Sequence, residues 1–250
     1  VMRQAASFTP EQKPDLIFAT GGPWTGLLIG QALAKYFQVP FVADFRDPWI
    51  TDSVYQFSSP LLNRKAERME AAVCSSAAAV IANTDELRME FLGKYSALTR
   101  KFVTITNGFN FPAVALQSSQ DSKDVFHQSE TIEICHFGSV YGDRNASSLF
   151  QAISEIHRES CWPFSRIRLR FVGSWEIQDA VTLALAKQLE ENGLLRREPP
   201  VSHRECMQQM ASAQALLILQ PHSASRVPAK TYEYIASGRP IILIGEKGAA

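Results

Sequence analysis

A lysine and a glutamate lie three residues apart in the stretch 227–240, VPAKTYEYIASGRP. Pro228 can open a helix there, and Gly238 can close it in a left-handed conformation. At helical spacing Lys230 and Glu233 share one face, where a cation and a carboxylate could hold a phosphate and sugar hydroxyls. The alternative is a surface ion pair, which stabilises a helix by only about 0.2–0.5 kcal/mol.

A glycine-containing loop, GSVYGDRN at residues 138–145, follows the apolar run at 131–137. Gly138 would let the backbone approach a ligand, the following helix would offer its N-terminus to an anion, and Arg144 would add further donors. The alternative is a flexible turn with a solvated arginine. No Asp-x-Asp pair stands at a strand end, which favours cationic side chains over a metal ion as the charge stabiliser.

Charged side chains also cluster after a buried strand in the first half of the chain. The apolar run at 39–44 ends at Asp44 and is followed closely by Arg46 and Asp47. The run at 15–20 is followed by Gly21 and Gly22. In parallel sheets this carboxyl edge is where ligands bind, so we expect a site there. The alternatives are an Arg46–Asp47 network that fixes the turn and a tight connection at the two glycines.

Apolar runs of strand length alternate with amphipathic segments of helix length along the whole chain. This order predicts parallel sheets with right-handed crossovers, an α/β fold that is doubly wound in each half. We predict an N-terminal domain at 1–110, a polar linker at 111–130 and a C-terminal domain at 131–250.

Two smaller features also carry predictions. In the helix after Pro228, the spacing of Tyr232, Ile235 and Ala236 predicts that these three side chains pack on a sheet. Arg196 and Arg197 are predicted to lie in a solvated turn, and a local contact to nucleic acid is the alternative.

Composition narrows the class of protein. The 250 residues carry a formal net charge of zero, so bulk electrostatic binding to nucleic acid is not expected. Four well-separated cysteines indicate a reducing, cytoplasmic compartment. No apolar run approaches the ~20 residues that span a bilayer. The first and last residues suggest a truncated chain.

Four stretches together resemble the GT-B-fold glycosyltransferases of the large retaining family four, bacterial type. The resemblance implies two Rossmann-like domains facing a cleft, both incomplete at the chain ends, the first binding an acceptor and the second a nucleotide-sugar donor. The matching stretches are ADFRDPW at 43–49, ITNGF at 105–109, HFGSVYGDRN at 136–145 and VPAKTYEYIASGRP at 227–240.

The resemblance also implies donor-binding residues. Glu233 matches the second glutamate of the family's Glu-x7-Glu motif, which holds the nucleotide ribose, whereas Ser225 replaces the first. Gly138 matches the glycine whose backbone faces the diphosphate, and Ser139 replaces the arginine that often follows it. Pro228 and Tyr234 complete the expected donor-binding set.

Arg144 and Lys230 are then the cations expected to stabilise the leaving diphosphate. On the acceptor side, the resemblance implies Gly21, Gly22 and Asp44, with Arg46 and Asp47 near the reacting carbon. The candidate catalytic residues are therefore Arg144, Lys230, Arg46 and Asp47.

The expected activity is metal-independent transfer of a hexose with retention, with the nucleotide-diphosphate sugar as co-substrate and no other cofactor. The expected acceptor is a saccharide or a lipid-linked hydroxyl, in cell-surface polysaccharide or glycolipid synthesis at the cytoplasmic face of the membrane, with peripheral membrane contact. A nucleotide-sugar epimerase and a non-catalytic nucleotide-sugar-binding protein are the alternatives. The oligomeric state stays open.

Overall fold

The structure is a computed structural model that describes residues 2–5, 7, 9, 12–50, 59–109, 130–142, 146–160, 164–220 and 225–245. The described residues fall into two compact units. The first contains those up to Asn107 together with 225–227, and the second contains 108–109, 130–220 and 228–245. Nearly all of the predicted linker lies outside the described residues.

The first unit is a four-stranded parallel sheet in the order β1-β2-β3-β4, with helices between the strands. Its elements are α1 (Met2–Ala5), β1 (Ile17–Gly21), α2 (Thr25–Phe37), β2 (Phe41–Phe45), α3 (Pro60–Ser76), β3 (Ala79–Ala82), α4 (Asp85–Lys94), a 3-10 segment (Ser96–Lys101) and β4 (Phe102–Thr104).

The second unit is a five-stranded parallel sheet in the order β11-β10-β5-β7-β9, with a separate two-stranded sheet of β6 and β8. Its elements are β5 (Ile132–Phe137), β6 (Val140–Tyr141), α5 (Ser147–Arg158), a 3-10 turn (Phe164–Arg166), β7 (Ile167–Val172), β8 (Trp175–Glu176), α6 (Ala180–Glu191), β9 (Leu195–Glu198), α7 (His203–Ser212), β10 (Ala215–Gln220), α8 (Ala229–Ala236) and β11 (Ile241–Gly245).

Local sequence signals account for several of these boundaries. Thr84 accepts a hydrogen bond from Leu87 N at 3.1 Å, which caps α4 as its residue type predicts. Gly193 after α6 and Gly238 after α8 have φ values of 68° and 67°, the left-handed conformation expected of a closing glycine. The chain therefore fixes these helix ends through single residues.

Each unit has its own apolar core. The core of the first unit includes Leu27, Phe45 and Val80. In the second unit, alternation along β5 puts Ile134 into one buried cluster and Cys135 with Phe137 into another. A sheet that buries both faces is typical of parallel α/β architecture.

The prediction of a solvated turn at Arg196 and Arg197 is wrong. Both arginines lie in β9, an edge strand that pairs with β7. Arg197 donates to both carboxylate oxygens of Glu190, each at 2.6 Å, and its guanidinium lies 4.9 Å from the centre of the Trp175 ring. Charged residues are common on edge strands. The segment therefore lacks the apolar run that would have predicted a strand from the sequence.

The predicted apolar face of α8 is also wrong in part. Ile235 is 62% exposed, whereas Tyr234 is fully buried and Ala236 is buried. Tyr232 is half-buried. Tyr234 replaces Ile235 on the buried face because its hydroxyl has a backbone partner in β5.

Candidate functional site

Two side chains of α8 bind the backbone N–H and C=O of one residue, Phe137, at the carboxyl end of β5. Lys230 Nζ donates to the Phe137 carbonyl oxygen at 2.9 Å, and the Tyr234 hydroxyl accepts from the Phe137 N–H at 2.9 Å. Burial raises the pKa of Tyr234 above its ordinary value, so this hydroxyl stays neutral at neutral pH. Lys230 and Tyr234 are one turn apart, so the two contacts fix α8 against β5.

Gly138 lies directly beside the lysine. Its φ is 126°, and a Cβ at this position would lie 2.8 Å from Lys230 Nζ. Gly173, in the loop after β7, has a φ of 152°, and a Cβ there would clash with the Gly138 carbonyl oxygen. Both positions require glycine, because the two loops and the ammonium group share this small space.

Glu233, one turn from Lys230, contacts a residue that the sequence did not single out. Its Oε1 lies 3.2 Å from Nε2 of His203, the first residue of α7. The Glu233 side chain is 25% exposed, so a ligand can reach the carboxylate. His203 lies within the capping box of Ser202 and Glu205, and no local pattern distinguishes it from an ordinary exposed first-turn residue.

His136 is a second residue that the sequence did not single out as a site residue. It is fully buried at the end of β5, with Nδ1 2.9 Å from the Leu217 carbonyl oxygen and Nε2 3.4 Å from Lys230 Nζ. A histidine in an apolar strand gives only a weak signal, and its partners are distant in sequence.

The other predicted donor residues have mixed positions. Ser139 follows Gly138 and is half-buried, and Pro228 precedes α8 and is buried. Arg144 lies outside the described residues. Ser225 is buried in the first unit, where its carbonyl oxygen accepts from Thr84 Oγ1 at 2.8 Å.

The predicted acceptor-side residues lie together at one edge of the first sheet. Gly21 ends β1 opposite Phe45, so Gly21 and Gly22 come next to the end of β2, which carries Asp44. Arg46 is exposed, and its carbonyl oxygen accepts from Asn83 Nδ2. Asp47 Oδ1 lies 3.1 Å from Arg226 Nε.

Metal-site clusters and membrane-spanning helices are both absent from the described residues. Within these ranges no three His, Cys, Asp or Glu side chains come together as a metal site requires. Every helix there is too short or too polar to cross a bilayer.

Comparison of the structure with solved structures gives consistent matches. HepE from Anabaena, solved with UDP and glucose, matches with a TM-score of 0.66 and 17% identity over 94% of this chain. Sucrose-phosphate synthase from Thermosynechococcus elongatus gives 0.64 and 16% over 97%. WaaG, a glycosyltransferase involved in lipopolysaccharide biosynthesis, gives 0.57 and 16% over 93%.

The chain has the GT-B fold. The predicted α/β class with Rossmann-like parallel sheets is therefore confirmed. The chain spans 60% of HepE, 58% of the sucrose-phosphate synthase and 67% of WaaG. No protein-family model and no curated protein matches the sequence.

Within this GT-B chain, the structure brings Gly138, Ser139, Lys230, Glu233, Pro228 and Tyr234 together at the carboxyl end of β5 and on α8. It brings Gly21, Gly22, Asp44, Arg46 and Asp47 together at the carboxyl ends of β1 and β2. These are the edges where parallel sheets bind ligands.

Proposed function

We propose that the chain belongs to a glycosyltransferase that moves a sugar from a nucleoside-diphosphate sugar to a hydroxyl acceptor. The observation that carries the proposal is the position of Lys230, whose ammonium group is fixed against Gly138 at the end of β5, one turn before Glu233. A fixed cation at a strand end is suited to a phosphate, and a neighbouring carboxylate is suited to ribose hydroxyls. The binding of UDP and glucose by HepE supports this assignment.

Each donor-side residue has a proposed role. Lys230 stabilises the negative charge that develops on the departing diphosphate, with Arg144 as the second cation. The backbone at Gly138 and Ser139 approaches the phosphates, and Glu233 accepts hydrogen bonds from the ribose. Tyr234 and Pro228 hold α8 in place. Ser225 in place of a glutamate leaves the contact to the donor sugar open.

The acceptor side is proposed to lie in the first unit. Gly21 and Gly22 would leave room for the acceptor, and Arg46 would lie near the reacting carbon. Asp47 already contacts Arg226, so we favour Asp44 as the carboxylate that orients the acceptor hydroxyl.

The finer features of the proposal follow the resemblance to the retaining family. They are retention of the anomeric configuration, transfer without a metal ion, a saccharide or lipid-linked acceptor and a place in cell-surface polysaccharide or glycolipid synthesis. The proposed location is the cytoplasmic face of the membrane.

The test compares two lysines of the second unit in the full-length protein. Lys187 is a matched control because it is 77% exposed and pairs with Glu191 on α6. We expect K230A to weaken UDP binding and to lower sugar transfer by about 100-fold, since removing a transition-state charge partner has effects of this size. K187A should match the wild type. Equal activity of K230A and the wild type would refute the proposal.

Product analysis separates the alternatives. Transfer requires an acceptor and gives a glycoside, so a panel of nucleotide sugars should give nucleoside diphosphate only with an acceptor present. An epimerised nucleotide sugar formed without an acceptor would instead identify an epimerase. Donor binding with neither product, across the acceptor panel, would identify a binding protein, the alternative that Ser225 favours.

A further inference from the structure

The paired stretch of β5 and β10 is short and stops just before His136. Their paired residues are Ala215 with Ile134 and Leu216 with Cys135, and the pairing ends there. The next carbonyl of β10, that of Leu217, lies 2.9 Å from the Nδ1 of His136. The imidazole therefore makes a hydrogen bond to β10 where the backbone pairing has ended. This bond explains how a polar ring is accommodated in a fully buried position.

The partners of the ring define its protonation. The Leu217 carbonyl oxygen can only accept, so Nδ1 must donate to it. The ammonium group of Lys230, 3.4 Å from Nε2, can only donate, so Nε2 must accept. Both contacts select the neutral tautomer with the proton on Nδ1.

We propose that His136 is a positioning residue for Lys230, an inference that rests on the phosphate-binding role proposed for that lysine. Lys230 Nζ has the Phe137 carbonyl oxygen and His136 Nε2 as acceptors, and both are uncharged. These two contacts orient the ammonium group beside Gly138. A carboxylate at position 136 would hold the lysine equally well but would oppose a phosphate.

The geometry also points to a role for the ring beyond the sheet. A side chain that served only the sheet would need the contact to Leu217 alone. The ring of His136 packs against Phe171, at 5.2 Å between ring centres, and its second nitrogen faces the lysine. A buried nitrogen that accepts from a functional cation couples the sheet to the site.

Two variants test the contacts of the two ring nitrogens separately. Asn at position 136 can replace the donor at Nδ1 but leaves Lys230 without the ring acceptor, whereas Gln can place an amide oxygen near Nε2. In the full-length protein we expect H136N to weaken UDP binding by about tenfold and H136Q by less than about threefold. A purely structural role, carried by the Nδ1 contact to Leu217, predicts that H136N binds UDP as well as H136Q or better, and that result would overturn the proposal.

A double-mutant cycle with Lys230 tests the route of the effect. If His136 acts through the lysine, H136N should change UDP affinity less than about twofold in a K230A background. A full tenfold effect in that background would overturn the role of His136. An unchanged affinity in K230A alone would instead overturn the proposed function, so the two failures are distinguishable.

One measurement needs no change at His136. With 15N-labelled histidine, long-range proton–nitrogen NMR spectra of the wild type should show His136 with a protonated Nδ1 and an unprotonated Nε2. The K230A variant, which removes the contact to Nε2, should shift that resonance and assign it. A proton on Nε2 in the wild type would overturn the proposal even if H136N failed to fold.

Discussion

At the scale of single residues, Asp47 and Arg226 form an ion pair in which the arginine is the more buried partner. The side chains are 38% and 10% exposed, respectively. Removing the carboxylate leaves a largely buried guanidinium without this partner. We expect D47A to lower the free energy of unfolding by about 1–3 kcal/mol, measured by urea denaturation.

A double variant provides the control for this pair. Replacing Arg226 by Met as well removes the buried charge, so D47A/R226M should be more stable than D47A. If the double variant is less stable than D47A by the full effect of R226M alone, the two side chains are not coupled.

Gly173 and Gly193 offer a matched comparison of two glycines with positive φ. At Gly193 an added Cβ would meet nothing within 4 Å, whereas at Gly173 it would clash with the Gly138 carbonyl oxygen. We expect G193A to cost about 1–2 kcal/mol for the left-handed backbone, and G173A at least about 3 kcal/mol. Thermal unfolding measures whether G173A loses more stability than G193A. Equal losses of stability would show that the two loops can move apart at little cost in free energy.

At the scale of elements, α8 depends on one buried hydroxyl. Changing Tyr234 to Phe leaves the Phe137 N–H without its acceptor, which should cost about 1–3 kcal/mol of stability. The change should also weaken UDP binding, because Lys230 lies on the same helix. Y232F, at a half-buried neighbouring position, is the control. Normal stability of Y234F would show that water or another group satisfies the N–H.

The strands β7 and β9 are joined by a bidentate ion pair. Arg170 Nε and Nη2 donate to the two carboxylate oxygens of Glu198 at 2.9 and 2.7 Å. Hydrogen bonding to Arg170 lowers the pKa of Glu198 below the ordinary value of a glutamate side chain. A lowered pKa means that the pair stabilises the fold fully above the unfolded pKa and loses this effect as pH falls through the folded pKa.

The pH prediction therefore concerns the acid side. E198Q should lose about 1 kcal/mol of stability at pH 7, and its stability should fall less steeply than that of the wild type below about pH 4.5. E191Q, at an exposed glutamate of α6, should follow the wild-type curve. Parallel curves for E198Q and the wild type would contradict this assignment.

At the scale of the whole molecule, the proposed donor contacts all lie in the second unit. Hydrogen exchange with and without UDP should therefore show added protection at residues 136–142 and 229–238. The core strand β3 of the first unit should exchange at an unchanged rate, because ligand binding stabilises the elements that it contacts. Equal protection of both regions would contradict the assignment of the donor site to the second unit alone.

Local patterns were sufficient for much of this architecture. The alternation of apolar runs with amphipathic segments predicted the parallel α/β sheets, and Gly238 predicted a helix end. The spacing of Lys230 and Glu233 predicted a shared helix. These features depend on neighbours within a few residues, so the sequence by itself determined them.

Contacts between distant residues depended on the tertiary structure. His136 lies 81 residues from Leu217 and 94 from Lys230, and only the strand order β10-β5-β7 brings these groups together. The same holds for Tyr234, which is buried in place of Ile235 because Phe137, 97 residues away, offers its N–H. Sheet order is set by packing over the whole unit, and no local pattern records it.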